Sequence, residues 1–164
     1  MVHFSEDIIS LSSSIIKKAS KLNYKITFAE SCTGGLISSC ITAVPGSSSV
    51  FTCGYVTYSN YSKNRILGVP MDAIDKYGAV SDIVASAMAE GALALSKADI
   101  SLSVTGIAGP QGGTKDKPVG LVYLSIAKNN TDAIIKKYIF AGSRDEIRRS
   151  TIGSGLSLLL NQLP

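Results

Sequence analysis

Helical and extended segments alternate along the first two thirds of the chain, and this alternation limits the fold more than any other feature. Apolar residues recur at helical spacing through residues 6–22, which predicts an amphipathic helix that Ser5 can cap. The other predicted segments here are strands at about 24–29, 50–58 and 100–104, and helices at 34–44, on both sides of 68–70, and at 81–97. Strands joined by helical crossovers are expected to lie parallel in one sheet.

The last third of the chain has a different pattern. Residues 119–127 and 133–140 are typical of two strands, and the polar turn at 128–131 predicts that they form a hairpin. Ser143 and Glu146 then have capping-box spacing at the start of a final helix. We therefore predict an α/β fold with a mixed, mainly parallel sheet covered by helices on both faces, in a single domain over residues 1–164.

Composition narrows the class of ligand. The 164 residues suit one domain, and the 45% that are hydrophobic can form a core without disulfides or a metal. The net charge of +4 favours an anionic ligand. Aromatic residues make up only 7%, Trp is absent and the basic residues are dispersed, whereas a nucleic-acid binder usually carries a dense basic stripe. A small phosphorylated substrate is therefore favoured over nucleic acid.

The cysteines and the chain start bear on the cellular compartment. Cys32, Cys40 and Cys53 are odd in number and match neither zinc-ligand spacing nor a disulfide framework, so we expect reduced thiols and no metal site. The first residues lack the basic and apolar run of a signal peptide, and no apolar stretch is long enough to span a membrane. We expect a cytoplasmic protein.

The turn at residues 30–35, Glu-Ser-Cys-Thr-Gly-Gly, lies between a predicted strand and a predicted helix. Ligands of parallel sheets gather at the carboxyl ends of strands, and the unpaired amides of a helix start attract negative charge. Ser31 is the candidate nucleophile, and the candidate oxyanion donors are the amides of Cys32, Thr33, Gly34 and Gly35. A helix cap with flexible glycines explains the same pattern equally well.

A serine nucleophile needs a base, and histidine is a poor candidate because the only one is His3, near the terminus. Lys63 is the alternative, since it follows the second strand in a helix that Asn60 can cap. A helix N-terminus and burial both favour the neutral amine that can accept a proton. The competing interpretation is an exposed surface lysine, because lysine is rarely buried.

A glycine-rich loop follows the third predicted strand and offers backbone amides to a ligand. Its candidate binding residues are Thr105, Gly106 and Gly109, although a plain connecting turn fits the pattern as well. Arg144, at the start of the last helix, is the candidate partner for a phosphate group. A solvated basic face is the alternative for this arginine.

Five segments, in this order, resemble the CinA C-terminal family, whose standalone members are nicotinamide-nucleotide amidases of the PncC type. The segments are Ala-Glu-Ser-Cys-Thr-Gly-Gly at 29–35, Gly-Tyr-Val-Thr-Tyr-Ser-Asn at 54–60, Gly-Ala-Val-Ser at 78–81, Thr-Gly-Ile-Ala-Gly-Pro at 105–110 and Lys-Pro-Val-Gly at 117–120. They are spread over residues 29–120 in family order, so the resemblance is more specific than any one loop.

The resemblance implies a three-layer α/β/α fold with a mixed five-stranded sheet. It also implies hydrolysis of nicotinamide mononucleotide to nicotinate mononucleotide and ammonia, in pyridine-nucleotide salvage and without a cofactor. Ser31 would be the nucleophile, Lys63 its general base, and Tyr58 a partner that relays or orients the proton. Many members carry a further N-terminal domain that resembles molybdopterin-binding proteins, which we expect this chain to lack. We also expect a homo-oligomer.

Two rival hypotheses stay open at this point. Cys32 could be the nucleophile, since a thiol at a helix start has a lowered pKa, although a packed and inert thiol is favoured because no histidine is available beside it. From another class, the chain could be a non-catalytic nucleotide-binding regulatory module linked to competence or DNA damage. Ser31, Tyr58 and Lys63 together favour the enzyme, because a binding loop does not need them.

Overall fold

The structure is a computed structural model that describes residues 4–164. Within these residues the chain forms six α-helices and five β-strands. In chain order they are α1 Glu6–Leu22, β1 Ile26–Glu30, α2 Leu36–Thr42, β2 Phe51–Val56, α3 Asn60–Leu67, α4 Met71–Tyr77, α5 Asp82–Ser96, β3 Ile100–Gly106, β4 Leu121–Lys128, β5 Ile134–Ile139 and α6 Arg144–Gln162. No helix in this part of the chain combines the length and apolarity needed to cross a membrane.

The strands form one mixed sheet in the order β2-β1-β3-β4-β5. Strand β1 pairs parallel with β2 and with β3, whereas β3–β4 and β4–β5 are antiparallel pairs. Strand β5 therefore runs in the same direction as β1, β2 and β3, and the predicted mixed, mainly parallel sheet is confirmed. The carboxyl ends of these four strands lie along one edge of the sheet.

Helices cover both faces of the sheet, as predicted for a three-layer α/β/α fold. Helices α1, α2 and α6 pack against one another on one face, and α3, α4 and α5 do so on the other. The larger core lies under the first group and includes Phe28, Leu102 and Leu124. The alternation of side chains along β1, β3 and β4 sends these residues to one face and leaves small residues for the other.

On the second face, α5 packs closely against small side chains of the sheet. Ser103 Oγ donates a hydrogen bond of 2.6 Å to the Ala85 carbonyl. Helix α5 also lies close to the end of α3. A Cβ added at Gly91 would come within 2.0 Å of the Leu67 carbonyl oxygen, so only glycine fits at this position. Gly91 thereby allows α5 to lie close to the end of α3, the helix that carries Lys63.

Two predicted helix caps are confirmed and two need correction. Ser81 accepts from the Val84 amide, and Ser143 forms a capping box with Glu146. Ser5 occupies the N-cap position of α1, but its side chain bonds no helix amide. The cap of α3 is Ser59, which forms a capping box with Ser62, and Asn60 is the first helical residue. The prediction of Asn60 as the cap is wrong because Ser59 and Asn60 are both residues that can cap a helix. Only the backbone geometry shows which of the two occupies the N-cap position.

The predicted helix at 34–44 is shorter in the structure and begins at Leu36. Gly34 and Gly35 have φ values of +59° and +95°, which place them in the left-handed region outside a right-handed helix. The turn after β1 therefore extends through Gly35. Ser31 lies at the start of this turn, and four residues separate it from the first residue of α2.

Candidate active site

The candidate site lies at the sheet edge where β1, β2 and β3 end. Ser31 directly follows β1, Tyr58 lies two residues after β2, and Gly106 is the last residue of β3. Because β1 lies between β2 and β3, the three loops meet around the turn that holds Ser31.

Ser31 and Lys63 are in hydrogen-bonding contact. Lys63 Nζ lies 3.0 Å from Ser31 Oγ, although 32 positions separate the two residues in the chain. Lys63 is 1% exposed and Ser31 is 8% exposed, so the pair is shielded from bulk solvent while Ser31 stays reachable at the surface. The surface-lysine interpretation of Lys63 is wrong.

Two backbone carbonyls orient the Lys63 amine. Nζ donates to the carbonyl oxygens of Thr57 at 2.9 Å and Tyr58 at 3.2 Å, just after β2. The Thr57 amide donates to the Glu30 carbonyl at 2.9 Å, which ties this segment to the end of β1. No carboxylate among residues 4–164 forms an ion pair with Lys63.

Burial lowers the pKa of Lys63 from its usual value near 10.5. A neutral amine has two N–H donors and one lone pair, and these match the two carbonyls and the Ser31 hydroxyl. Burial therefore favours the neutral form of Lys63, in which the lone pair can accept the Ser31 proton.

Glu30, which is not among the predicted site residues, stabilises the turn through its buried carboxylate. Its carboxylate accepts the amides of Gly35 at 3.0 Å, Ile37 at 3.1 Å and Ser38 at 2.8 Å, and the Ser38 hydroxyl at 2.8 Å. A signal was present in the sequence, since a carboxylate just before a glycine turn and a helix suits the unpaired amides there.

The predicted set of oxyanion donors needs correction. The Gly35 amide is bonded to Glu30, and the Gly34 amide donates to the Ser31 carbonyl at 3.0 Å. Within residues 4–164 the amides of Cys32 and Thr33 have no acceptor, but Thr33 is fully buried. The Cys32 amide, directly after Ser31, is the remaining candidate. On the other side of the turn, Arg148 Nη2 donates to the Thr33 carbonyl at 3.0 Å.

The Cys32 thiol is packed inside the protein. It is buried, and its sulfur would lie 3.2 Å from a Cβ added at Gly106. Burial raises the pKa of the Cys32 thiol to about 11, so the reactive thiolate is scarce near neutral pH. This supports the packed, inert thiol over the nucleophile. All three cysteines are free.

The Tyr58 hydroxyl bonds Arg144 and forms no hydrogen bond with Ser31 or Lys63. The Tyr58 side chain is 61% exposed, and its hydroxyl accepts a hydrogen bond of 3.1 Å from Arg144 Nη2. Arg144 Nη1 also donates to the Gly109 carbonyl at 2.9 Å. The structure thus brings Tyr58, Arg144 and Gly109 together at the rim of the site, and only the backbone carbonyl of Tyr58 reaches Lys63.

Hydrogen bonds connect the glycine-rich loop to the segment before α5. Thr105 is buried, and its hydroxyl donates to the Ala79 carbonyl at 2.8 Å, so this side chain shapes the loop rather than facing solvent. Lys117 Nζ donates to the carbonyls of Tyr77 and Val80. At Gly106 an added Cβ would lie 2.7 Å from Val122, so the glycine is needed for packing.

The described residues hold no group of three or more His, Cys, Asp or Glu side chains placed to bind a metal ion. His3 lies outside them.

A family model described as the CinA C-terminal domain matches residues 8–163. The chain belongs to the CinA C-terminal domain family. A CinA-like protein of Geotalea uraniireducens is 46% identical over 160 residues, which are 98% of this chain and 38% of that protein. A putative competence-damage inducible protein of Caldanaerobacter subterraneus is 49% identical over 134 residues, 82% of this chain and 32% of that protein. The chain thus spans about a third of the length of these curated relatives.

Solved structures of CinA proteins share the fold. The competence/damage inducible protein CihA of Agrobacterium tumefaciens aligns with a TM-score of 0.95 at 42% identity, over 99% of this chain and 100% of that one. A CinA superfamily protein of Escherichia coli aligns with a TM-score of 0.92 at 31% identity, over 99% and 95% of the two chains. The α/β fold of this chain is therefore the CinA fold.

Proposed function

We propose that this CinA domain is an amidohydrolase that converts nicotinamide mononucleotide to nicotinate mononucleotide and ammonia through an acyl-enzyme on Ser31. The observation that carries the proposal is the buried Lys63 amine 3.0 Å from Ser31 Oγ, with two carbonyls on its remaining donors. A serine beside a neutral lysine is an activated nucleophile for acyl transfer. The substrate is taken from the resemblance to PncC-type amidases.

The first half of the reaction forms the acyl-enzyme. The Lys63 lone pair takes the Ser31 proton while Oγ bonds to the carboxamide carbon, and the carbonyl electron pair moves onto oxygen. The Cys32 amide donates to this oxyanion. When the carbonyl re-forms, the carbon–nitrogen bond breaks, and the nitrogen takes the proton held by Lys63 and leaves as ammonia.

The second half returns the enzyme to its starting state. Lys63 takes a proton from water as the water oxygen bonds to the acyl carbon. The bond to Ser31 Oγ then breaks, Oγ recovers the proton from Lys63, and the carboxylic acid of nicotinate mononucleotide is released. Every proton in the cycle passes through Lys63, and nitrogen is lost only as ammonia.

Arg144 is our proposed partner for the phosphate of the substrate, together with amides of the loop around Gly109. Its guanidinium lies at the rim of the site, where it bonds the Gly109 carbonyl and the Tyr58 hydroxyl. A guanidinium has five donors, so it can keep these contacts and still reach a phosphate oxygen. The expected homo-oligomer and cytoplasmic location stay predictions.

Ammonia release from nicotinamide mononucleotide by the purified protein tests the function. We expect turnover by the wild type, and a fall of roughly 10⁴-fold or more in kcat for Ser31→Ala, as for other serine nucleophiles. Ser10→Ala is a matched control, because Ser10 is exposed on α1. No ammonia from a folded wild type would overturn the proposal and favour the non-catalytic regulatory module.

A further inference from the structure

Glu30 is a buried carboxylate whose oxygens are fully engaged by hydrogen-bond donors. Its side chain is 0% exposed. Oε2 accepts the amides of Gly35 at 3.0 Å and Ile37 at 3.1 Å, and Oε1 accepts the amide and the hydroxyl of Ser38, both at 2.8 Å. Three of the four donors are backbone amides of the turn and the helix that follow Ser31.

Within the described part of the chain, Glu30 forms no ion pair with a basic side chain. The ion pair found there joins Arg148 to Asp145 and does not involve Glu30. A carboxylate removed from water without a cation depends on its hydrogen bonds for stabilisation. Losing any of these four hydrogen bonds would therefore leave a buried carboxylate oxygen short of a donor. This requirement couples segment 35–38 to Glu30 at the end of β1.

Gly54 of β2 makes room for this arrangement. A Cβ at Gly54 would lie 2.2 Å from Ser38 Oγ, the hydroxyl that donates to Glu30. The absence of a side chain at this position lets α2 approach β2 closely enough for the hydroxyl to reach the carboxylate. Gly54 belongs to one of the segments that carry the family resemblance, and this contact is a physical reason for a glycine there.

We propose that Glu30 is a positioning residue for acyl transfer at Ser31. By binding the amides of Gly35, Ile37 and Ser38, the carboxylate holds the turn in the conformation that keeps Ser31 Oγ 3.0 Å from Lys63 Nζ. It also occupies the amides of Gly35, Ile37 and Ser38, so that the Cys32 amide, for which residues 4–164 supply no acceptor, is the donor we assign to the oxyanion. This inference rests on the proposed function.

A carboxylate can accept all of the hydrogen bonds made to Glu30, whereas a carboxamide cannot. Four donors converge on Glu30, and the –NH₂ of a glutamine would place a donor against a donor at one of its two ends. Glu30→Gln keeps the size and shape of the side chain and removes the ability to hold both ends of segment 35–38. The variant should therefore loosen the turn without opening a cavity.

The first measurement is steady-state turnover of nicotinamide mononucleotide per folded molecule, with folding monitored by circular dichroism. We expect Glu30→Gln to lower kcat by about 100-fold, as for a displacement near 1 Å of a reacting group, and to change KM by less than about threefold. Glu90→Gln is the matched control, because Glu90 is an exposed carboxylate on α5. An unchanged kcat in folded Glu30→Gln would overturn the proposal.

The second measurement does not depend on the substrate. A fluorophosphonate reagent phosphonylates an activated serine with loss of fluoride, and we expect Glu30→Gln to slow labelling of Ser31 by about the same factor as kcat. If the wild type is labelled but releases no ammonia, the proposed function fails, and the labelling rates still test Glu30. Equal labelling rates in the two proteins, or no labelling of the wild type, would overturn the positioning role.

Ser38→Ala covers the case in which Glu30→Gln does not fold. It removes one of the four donors and leaves the three amides in place. We expect a smaller loss of the same kind, with kcat and the labelling rate lowered by about threefold to tenfold at an unchanged KM. If Glu30→Gln does not fold and Ser38→Ala matches the wild type in both rates, the proposal is wrong.

Discussion

Lys63 Nζ lies 3.0 Å from Ser31 Oγ because the two residues follow neighbouring parallel strands. Ser31 comes directly after β1, and Lys63 is the fourth residue of α3, the helix that follows β2. Parallel strands end at the same edge of a sheet, so this contact results from the strand order. The contact places the Lys63 amine inside the protein, away from the water that stabilises its protonated form.

The pH dependence of stability should report the protonation state of Lys63. Burial lowers its pKa in the folded protein below the usual value near 10.5. Between these two pKa values the unfolded chain binds a proton that the folded chain does not, so the free energy of unfolding rises with pH across this window. In Lys63→Met this rise should be missing, which urea titrations at several pH values will measure.

Lys17→Met is the control for this experiment, because Lys17 is exposed on α1. Its free energy of unfolding should follow that of the wild type across the same pH range. The wild-type kcat/KM should also rise with pH as Lys63 loses its proton, with an apparent pKa below 10.5. Parallel stability curves for the wild type and Lys63→Met would contradict a lowered pKa.

Thiol labelling should separate the three cysteines. Burial raises the pKa of Cys32 to about 11 and that of Cys40 to about 12, so neither forms much thiolate near neutral pH. Cys53 is only partly buried. Iodoacetamide should alkylate Cys53 in the folded protein and all three after unfolding, as peptide mass spectrometry will show. Loss of turnover in step with alkylation of Cys32 would favour the thiol nucleophile instead.

Tyr58 and Arg144 should act together on substrate affinity. The Tyr58 hydroxyl bonds Arg144 Nη2 and not Lys63, so Tyr58→Phe should raise KM by about threefold to tenfold with a smaller effect on kcat. Arg144→Ala should raise KM further, and adding Tyr58→Phe to it should change little, because contacting residues are not additive. Steady-state kinetics of the two single variants and the double variant measure this coupling.

Tyr61→Phe controls for the loss of a hydroxyl, since Tyr61 is 71% exposed on the same helix as Lys63. It should leave both kinetic constants unchanged. A large fall in kcat at constant KM for Tyr58→Phe would support a proton relay through the Tyr58 hydroxyl.

Gly91 and Gly153, both inside helices, should respond oppositely to replacement by alanine. A Cβ at Gly91 would meet the Leu67 carbonyl at 2.0 Å and push α3 away, so Gly91→Ala should lower the free energy of unfolding by about 1–3 kcal/mol. A Cβ at Gly153 would lie an ordinary 3.5 Å from Ile8, and the better helix former should stabilise by roughly 0.5–1 kcal/mol. Urea unfolding will measure both, and destabilisation by Gly153→Ala would contradict the packing argument.

The local features of the fold could be predicted because short-range patterns encode them. Ser143 and Glu146 form the predicted capping box, since the two residues that satisfy the helix amides lie three positions apart. The same spacing rule did not identify Glu30, whose donors extend to Ser38 and bond it only after the turn has folded back. The direction of the Tyr58 side chain could not be predicted either, because Arg144, 86 positions away, supplies its partner.

The sequence by itself determined the helices, the strands, the layered architecture and the position of a serine at the end of a strand, because periodicity and capping act over a few residues. The tertiary structure alone decided which amine reaches Ser31, which amides of the turn are hydrogen-bonded and which lysine has its pKa lowered by burial. Those properties depend on burial and on distances between residues far apart in the chain, and the strand order β2-β1-β3 sets both. The residue type of Lys63 alone predicts an exposed side chain, whereas its place in the fold buries the amine.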